Sequence, residues 1–216
     1  MISHIHKCIF IHIPKTGGSS IRSALLSTGN FEPLKIEHLQ REKIPPHAFG
    51  YNGINAWDVK HMPVRFINEK YKNYYKFCFV RNPWDIMVSC YFWWIQNTKL
   101  NIRKIQGNIL KKIGFEGFIF SFYTDYINEI HHQGMGQSYW ITDKDNKTTS
   151  IDYIGRFENI REDFIKICEI AKLGNINLEH KNKTVHQNYI KYYTAHSKKI
   201  IESKFITDIK NLKYSF

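Results

Sequence analysis

The stretch Pro14-Lys15-Thr16-Gly17-Gly18-Ser19-Ser20 carries the most specific chemical signal in the chain. An apolar run, Cys8-Ile9-Phe10-Ile11-His12-Ile13, precedes it, and a helical pattern follows. Two adjacent glycines let several backbone N–H groups converge on one concavity. A helix beginning there adds the positive end of its dipole. Thr16, Ser19 and Ser20 bring hydroxyl donors, and Lys15 brings a mobile positive charge. That combination suits a phosphate or a sulfate. It differs from the GxxxxGK[ST] loop of nucleoside triphosphatases, because Lys15 precedes the glycine pair instead of following it. No apolar strand ending in a magnesium-binding aspartate follows either. A ligand-free β–α turn is the plain alternative; the flanking strand, the helix and Lys15 weigh against it.

A second stretch, Phe79-Val-Arg-Asn-Pro-Trp-Asp-Ile-Met-Val-Ser-Cys-Tyr91, places Arg81 just past an apolar strand. A guanidinium there can fork onto a phosphate. Ser89 lies eight residues on, about two helical turns later, and can donate a second hydrogen bond. Trp84, Trp93 and Trp94 can stack on a base or fill the core, and their apolar setting favours the core. In an open parallel sheet the strand ends face one crevice, so the two stretches together point to one ligand that is anionic at both ends.

The elements around these stretches are legible in outline. Ile5–Ile13 and Tyr75–Val80 read as buried strands, with a third at Ile151–Gly155. Helices are expected from Ser19 or Ser20 to Ser27, over Met62–Tyr71, over Ile86–Ile95 with Pro83 at a first helical position, over Phe115–Ile130, over Glu158–Ala171 and over Ser197–Leu212. Residues 30–60 read as loops, 97–112 as a mobile basic surface segment, and 175–184 as a basic loop. Recurring strand–loop–helix units predict an α/β fold with a mostly parallel sheet. At 216 residues a single domain, 1–216, is expected. Hydrophobic residues at 43% exclude a disordered chain. Lys and Arg number 31 against 19 Asp and Glu, a formal charge of +12 that favours an anionic partner. Cys8, Cys78, Cys90 and Cys168 form no CxxC pair, so buried thiols in a reducing cytoplasm are expected, without a zinc site. No signal peptide and no membrane-spanning run is expected.

"IPKTGGSS" resembles the 5′-phosphosulfate loop of sulfotransferases, and "FVRNPWDIMVSCY" resembles their 3′-phosphate motif. "KHMPVRFI", "IDYIGRFENIREDF" and the segment from His180 to Phe216 are similar to the carbohydrate-type sulfotransferase family. The resemblance thins at residues 27–57 and 96–136. It implies a P-loop-NTPase-like three-layer fold with a central sheet flanked by helices. It implies transfer of a sulfuryl group from 3′-phosphoadenosine 5′-phosphosulfate to a hydroxyl or amine, with a saccharide as the favoured acceptor and no metal. Carried over by position, Lys15, Thr16, Gly17, Gly18, Ser19 and Ser20 hold the 5′ end. Arg81 and Ser89 hold the 3′-phosphate, Arg156 assists at the nucleotide, and Lys183 closes over it. Lys15 also neutralises the leaving group. Among 11 histidines, His61 is the expected base, since "KHMP" matches the family's histidine before the second strand. His12 and His47 stand in reserve, with Glu37 and Asp58 as carboxylate alternatives. Arg156 can instead brace Glu158 or Glu162. Ile86 stands where the family usually has Arg, so that contact is missing.

Two other classes share parts of this pattern. A kinase-like P-loop NTPase shares the fold, but needs the lysine and aspartate positions that this chain lacks. A basic nucleic-acid-binding module would use segments such as Asn97–Lys112, and the more ordinary role of such a segment is a solvated face.

Overall fold

The computed structural model describes residues 1–40, 61–96, 101–123, 136–143, 149–179 and 186–216, and the side chains of all of these except 101–104 and 122–123. His47, Asp58 and Lys183 lie outside the described residues. The chain forms two compact units, Met1–Val80 with Gln137–Lys181, and Arg81–Gly136 with Asn182–Phe216.

The first unit is built on a four-stranded sheet of order β1-β2-β3-β4. Its strands are β1 (Ile2–Ser3), β2 (Cys8–Ile11), β3 (Tyr75–Val80) and β4 (Tyr153–Arg156). β2, β3 and β4 run parallel, with Phe10 opposite Phe77 and Phe79 opposite Gly155. β1 is antiparallel, pairing Ile2 with Ile9. Alternation along the strands sends Cys8 and Phe10, and Phe77 and Phe79, to one face. Two helices cover that face: α1 (Gly18–Ser27) through Ile21, Ala24 and Leu25, and α5 (Ile160–Ile170) through Phe164, Ile167 and Cys168. Both helices repeat buried residues at the three- and four-residue spacing of an amphipathic stripe. Each fully buried aromatic ring contributes about 2 kcal/mol.

The second unit is helical. α2 (Pro83–Gln96) buries Trp84, Met87, Cys90, Tyr91 and Trp94 against Leu110, Phe115, Phe118 and Ile119 of α3 (Asn101–Tyr123). α6 (Ala195–Lys204) adds Ile201, and α7 (Ile206–Asn211) follows Phe205. Thr194 and Ser197 close a reciprocal capping box at the start of α6. No described helix is long and apolar enough to cross a membrane.

The α/β architecture agrees with expectation, and several boundaries move. The first strand stops at Ile11, and Ile5, 73% exposed, sits in a turn that reverses the chain into β1. Met62–Tyr71 is not one helix but two 3₁₀ turns, Val64–Phe66 and Glu69–Tyr71. Asn68 interrupts it, its side chain accepting the Lys70 N–H. Residues from Asn101 onward, expected as a surface segment, form the first half of α3, which kinks at Gly114. The last helix divides at Phe205. The small helix α4 spans Ser138–Ile141.

All four cysteines are buried free thiols. Burial pushes the Cys8 thiol up to about 12 and the Cys168 thiol up to about 11. Native protein treated with a thiol-reactive disulfide reagent at neutral pH is expected to release no chromophore, and unfolded protein to release four equivalents.

Candidate functional site

The turn from β2 into α1 is held from inside. The Thr16 hydroxyl donates to the Ile13 carbonyl at 3.0 Å, and Thr16 is fully buried. Thr16 therefore braces the loop through its side chain. Lys15 has φ 67° and Gly17 φ 82°, both left-handed. For a lysine that conformation costs about 1 kcal/mol, a strain kept where the surroundings over-determine it. Gly17 is the cap residue of α1, and a Cβ there would lie 2.6 Å from Ile160 Cδ1. The loop thus rests on Phe157 and Ile160, immediately after Arg156 at the end of β4. Gly17 has no side chain with which to cap α1, and the first turn of α1 holds no acidic residue. The amino end of this ten-residue helix carries the positive end of its dipole with no acidic side chain in its first turn.

Next to this loop stands His61. Its Nδ1 lies 2.9 Å from the main-chain oxygen of His12. A carbonyl only accepts, so Nδ1 carries the proton and the neutral ring keeps its lone pair on Nε2. The Trp140 indole N–H donates to the main-chain oxygen of His61 at 3.2 Å. Arg65 donates to the Tyr139 carbonyl at 2.6 Å and lies over the Tyr139 ring. α4 is therefore a strap that secures the segment carrying His61. Glu37, the carboxylate alternative, is exposed beside Lys35.

Arg156 ends β4, opposite Val80. Its backbone N–H donates to Asp163 at 2.7 Å, and the same carboxylate accepts from the Tyr153 hydroxyl at 3.0 Å. Asp163, in the first turn of α5, ties the strand to that helix.

In the second unit the Arg81–Asp85 turn has a clear internal logic. Asn82 accepts the Trp84 N–H with its side-chain oxygen and so caps α2, and Pro83 takes the first helical position. The Asn82 amide donates to the Ser215 carbonyl at 2.9 Å and to the Tyr189 hydroxyl at 3.3 Å. Asp85, one turn into the helix, accepts from Arg81 Nε at 2.8 Å. Arg81 is only 6% exposed, so this pair fixes the plane of its guanidinium. Ser89 lies one further turn along the same face of α2 and is also buried. Ile86, where the resemblance leads one to expect Arg, is 8% exposed in the apolar core. Trp84 and Trp94 lie in that core as well. The roles of Asn82, Asp85, Trp140 and Asp163 went unread in the sequence. Only the four-residue Arg81–Asp85 spacing offered a signal.

Among the described residues, His4, Glu32 and His38 bring three possible metal ligands within 4.8 Å. Their chemistry does not fit a cation. The Lys35 N–H donates to His38 Nδ1, which leaves the proton of the neutral ring on Nε2, the atom facing Glu32. The Lys35 ammonium already sits 2.8 Å from Glu32.

Residues 1–212 match the profile described as the Sulfotransferase family. The chain belongs to that family. It is therefore an enzyme of sulfuryl transfer, and its mixed α/β architecture with a mostly parallel sheet accords with the P-loop-like fold of sulfotransferases. No curated protein matches the sequence.

Asn82→Ala removes a helix cap and takes away the donor to the Ser215 carbonyl and the Tyr189 hydroxyl. It should lower the unfolding free energy by about 2 kcal/mol in a denaturant titration, with Asn82→Asp losing less because the capping oxygen survives.

Proposed function

We propose that this sulfotransferase takes its sulfuryl group from 3′-phosphoadenosine 5′-phosphosulfate and passes it to a hydroxyl or amine, with a saccharide hydroxyl as the preferred acceptor. The observation that carries the reading is the start of α1: an uncapped helix without first-turn acids, introduced by Lys15 and a glycine pair. That is a seat for a dianionic or trianionic end group. The saccharide rests on the resemblance to carbohydrate-type members, and the +12 charge suits an anionic glycan. The four unbridged thiols suit a reducing compartment, hence a cytoplasmic enzyme.

On this reading backbone amides at Gly17, Gly18 and Ser19 and the hydroxyls of Ser19 and Ser20 receive the 5′-phosphosulfate, with Thr16 holding the loop. Lys15 lies at the bridging oxygen. Arg81 and Ser89 receive the 3′-phosphate, Arg156 assists at the nucleotide, and Lys183 contributes from outside the described residues. His61 Nε2 takes the acceptor proton. The acceptor oxygen forms a bond to sulfur as the bond from sulfur to the phosphate oxygen breaks, in line. Charge then grows on the departing adenosine 3′,5′-bisphosphate. The Lys15 ammonium neutralises it, as a fixed cation does in phosphoryl transfer. No step calls for a metal.

Lys15→Ala should cut kcat about a hundredfold or more while the melting temperature stays near that of the parent. Turnover close to the parent's would remove Lys15 from the chemistry. Adenosine 3′,5′-bisphosphate at about a hundred times its Kd, without magnesium, should stabilise the parent by about 2.7 kcal/mol. Arg81→Ala should lose most of that stabilisation in a thermal-shift assay. An undiminished shift would refute the 3′-phosphate assignment.

A further inference from the structure

His12 sits between β2 and the anion loop, and its ring is packed on three sides. Phe10 stacks on it at 5.6 Å between centroids, with the planes 21° apart. The His61 ring lies 4.3 Å away, tilted by 54°. The remaining edge fills the space over Gly18, where an added Cβ would fall 2.0 Å from His12 Cδ2 and 2.1 Å from Nε2. Gly18 is not among the glycines with positive φ, so its backbone conformation does not demand glycine. The imidazole does. His12 is 5% exposed, and its main-chain oxygen is the acceptor that sets the His61 tautomer.

We propose that His12 is a positioning residue whose imidazole acts as a fixed spacer between His61 and the first residue of α1. The proposal deepens the reading of His61 as base and rests on it. If the sulfuryl group sits at the amino end of α1, the distance from that end to His61 sets the approach of the acceptor oxygen. A flat ring wedged between the two, against His61 on one side and with no room for a Cβ on Gly18 on the other, holds that distance against thermal motion. Misplacement of a reacting group by about 1 Å can cost about a hundredfold in rate. His12 itself touches neither donor nor acceptor on this account. The glycine at position 18 and the histidine at position 12 become one structural unit, since enlarging one requires shrinking the other.

The test is a four-protein cycle of the parent, His12→Ala, Gly18→Ala and the double variant, with His61→Ala beside them. Melting temperature reports the contact, and kcat and donor KM report the positioning. Gly18→Ala should lower the melting temperature by several degrees in the parent and by much less in the His12→Ala background, a non-additive cycle. His12→Ala should lower kcat about tenfold to a hundredfold while donor KM stays within about threefold, because the anion seat survives. Should His12→Ala fail to fold, His12→Asn, which removes only the far edge of the ring, enters the cycle in its place. Additive melting temperatures overturn the spacer contact. Parental kcat in His12→Ala beside an inactive His61→Ala overturns the positioning role alone. Parental kcat in His61→Ala overturns the reading of His61 on which the proposal stands.

Discussion

The chain leaves β2 and enters α1 through a turn in which Lys15 and Gly17 both adopt left-handed backbone angles. Everything nearby follows from the need to hold that turn. Thr16 gives its hydroxyl proton to Ile13, Phe157 and Ile160 press on Gly17, and the His12 ring presses on Gly18. Side chains that in an ordinary turn would cap the helix are missing, so the amino end of α1 keeps its electrostatic demand. A turn that is otherwise over-determined thus omits one normal stabilising device, a side-chain cap.

The second unit handles its cation the other way. Arg81 is nearly buried and its Nε is paired with Asp85, so its orientation is set by its own neighbours. Asn82 caps the helix that presents both residues, and tertiary partners hold Asn82 in turn. A guanidinium left flexible would have to lose its rotamer freedom on binding; one held by its neighbours does not.

The parts legible in the sequence were those where one physical signal dominates. β2 and β3 are apolar on successive residues because they are buried on both faces, and that run admits few other readings. α5 shows its stripe through Phe164, Ile167 and Cys168. The loop from Pro14 to Ser20 announces itself by composition. Other features depend on partners far along the chain. β1 is two residues long and exists by pairing with β2. Gly114 divides α3 between a basic half, which reads in sequence as a surface segment, and an aromatic half, which reads as a helix. The His61 tautomer follows from a main-chain oxygen 49 positions earlier, which no side-chain pattern records.

The Asn82 amide finds its acceptor at Ser215, 133 positions later, and the Phe216 ring meets Trp84 edge-on. Sequence separation on that scale makes the contact a late one when a polypeptide emerges from the ribosome. The turn bearing Arg81 is synthesised early and acquires this support only when Ser215 and Phe216 have cleared the exit tunnel. In a nascent chain of this enzyme the Asn82 amide thus waits for a residue made 133 positions later.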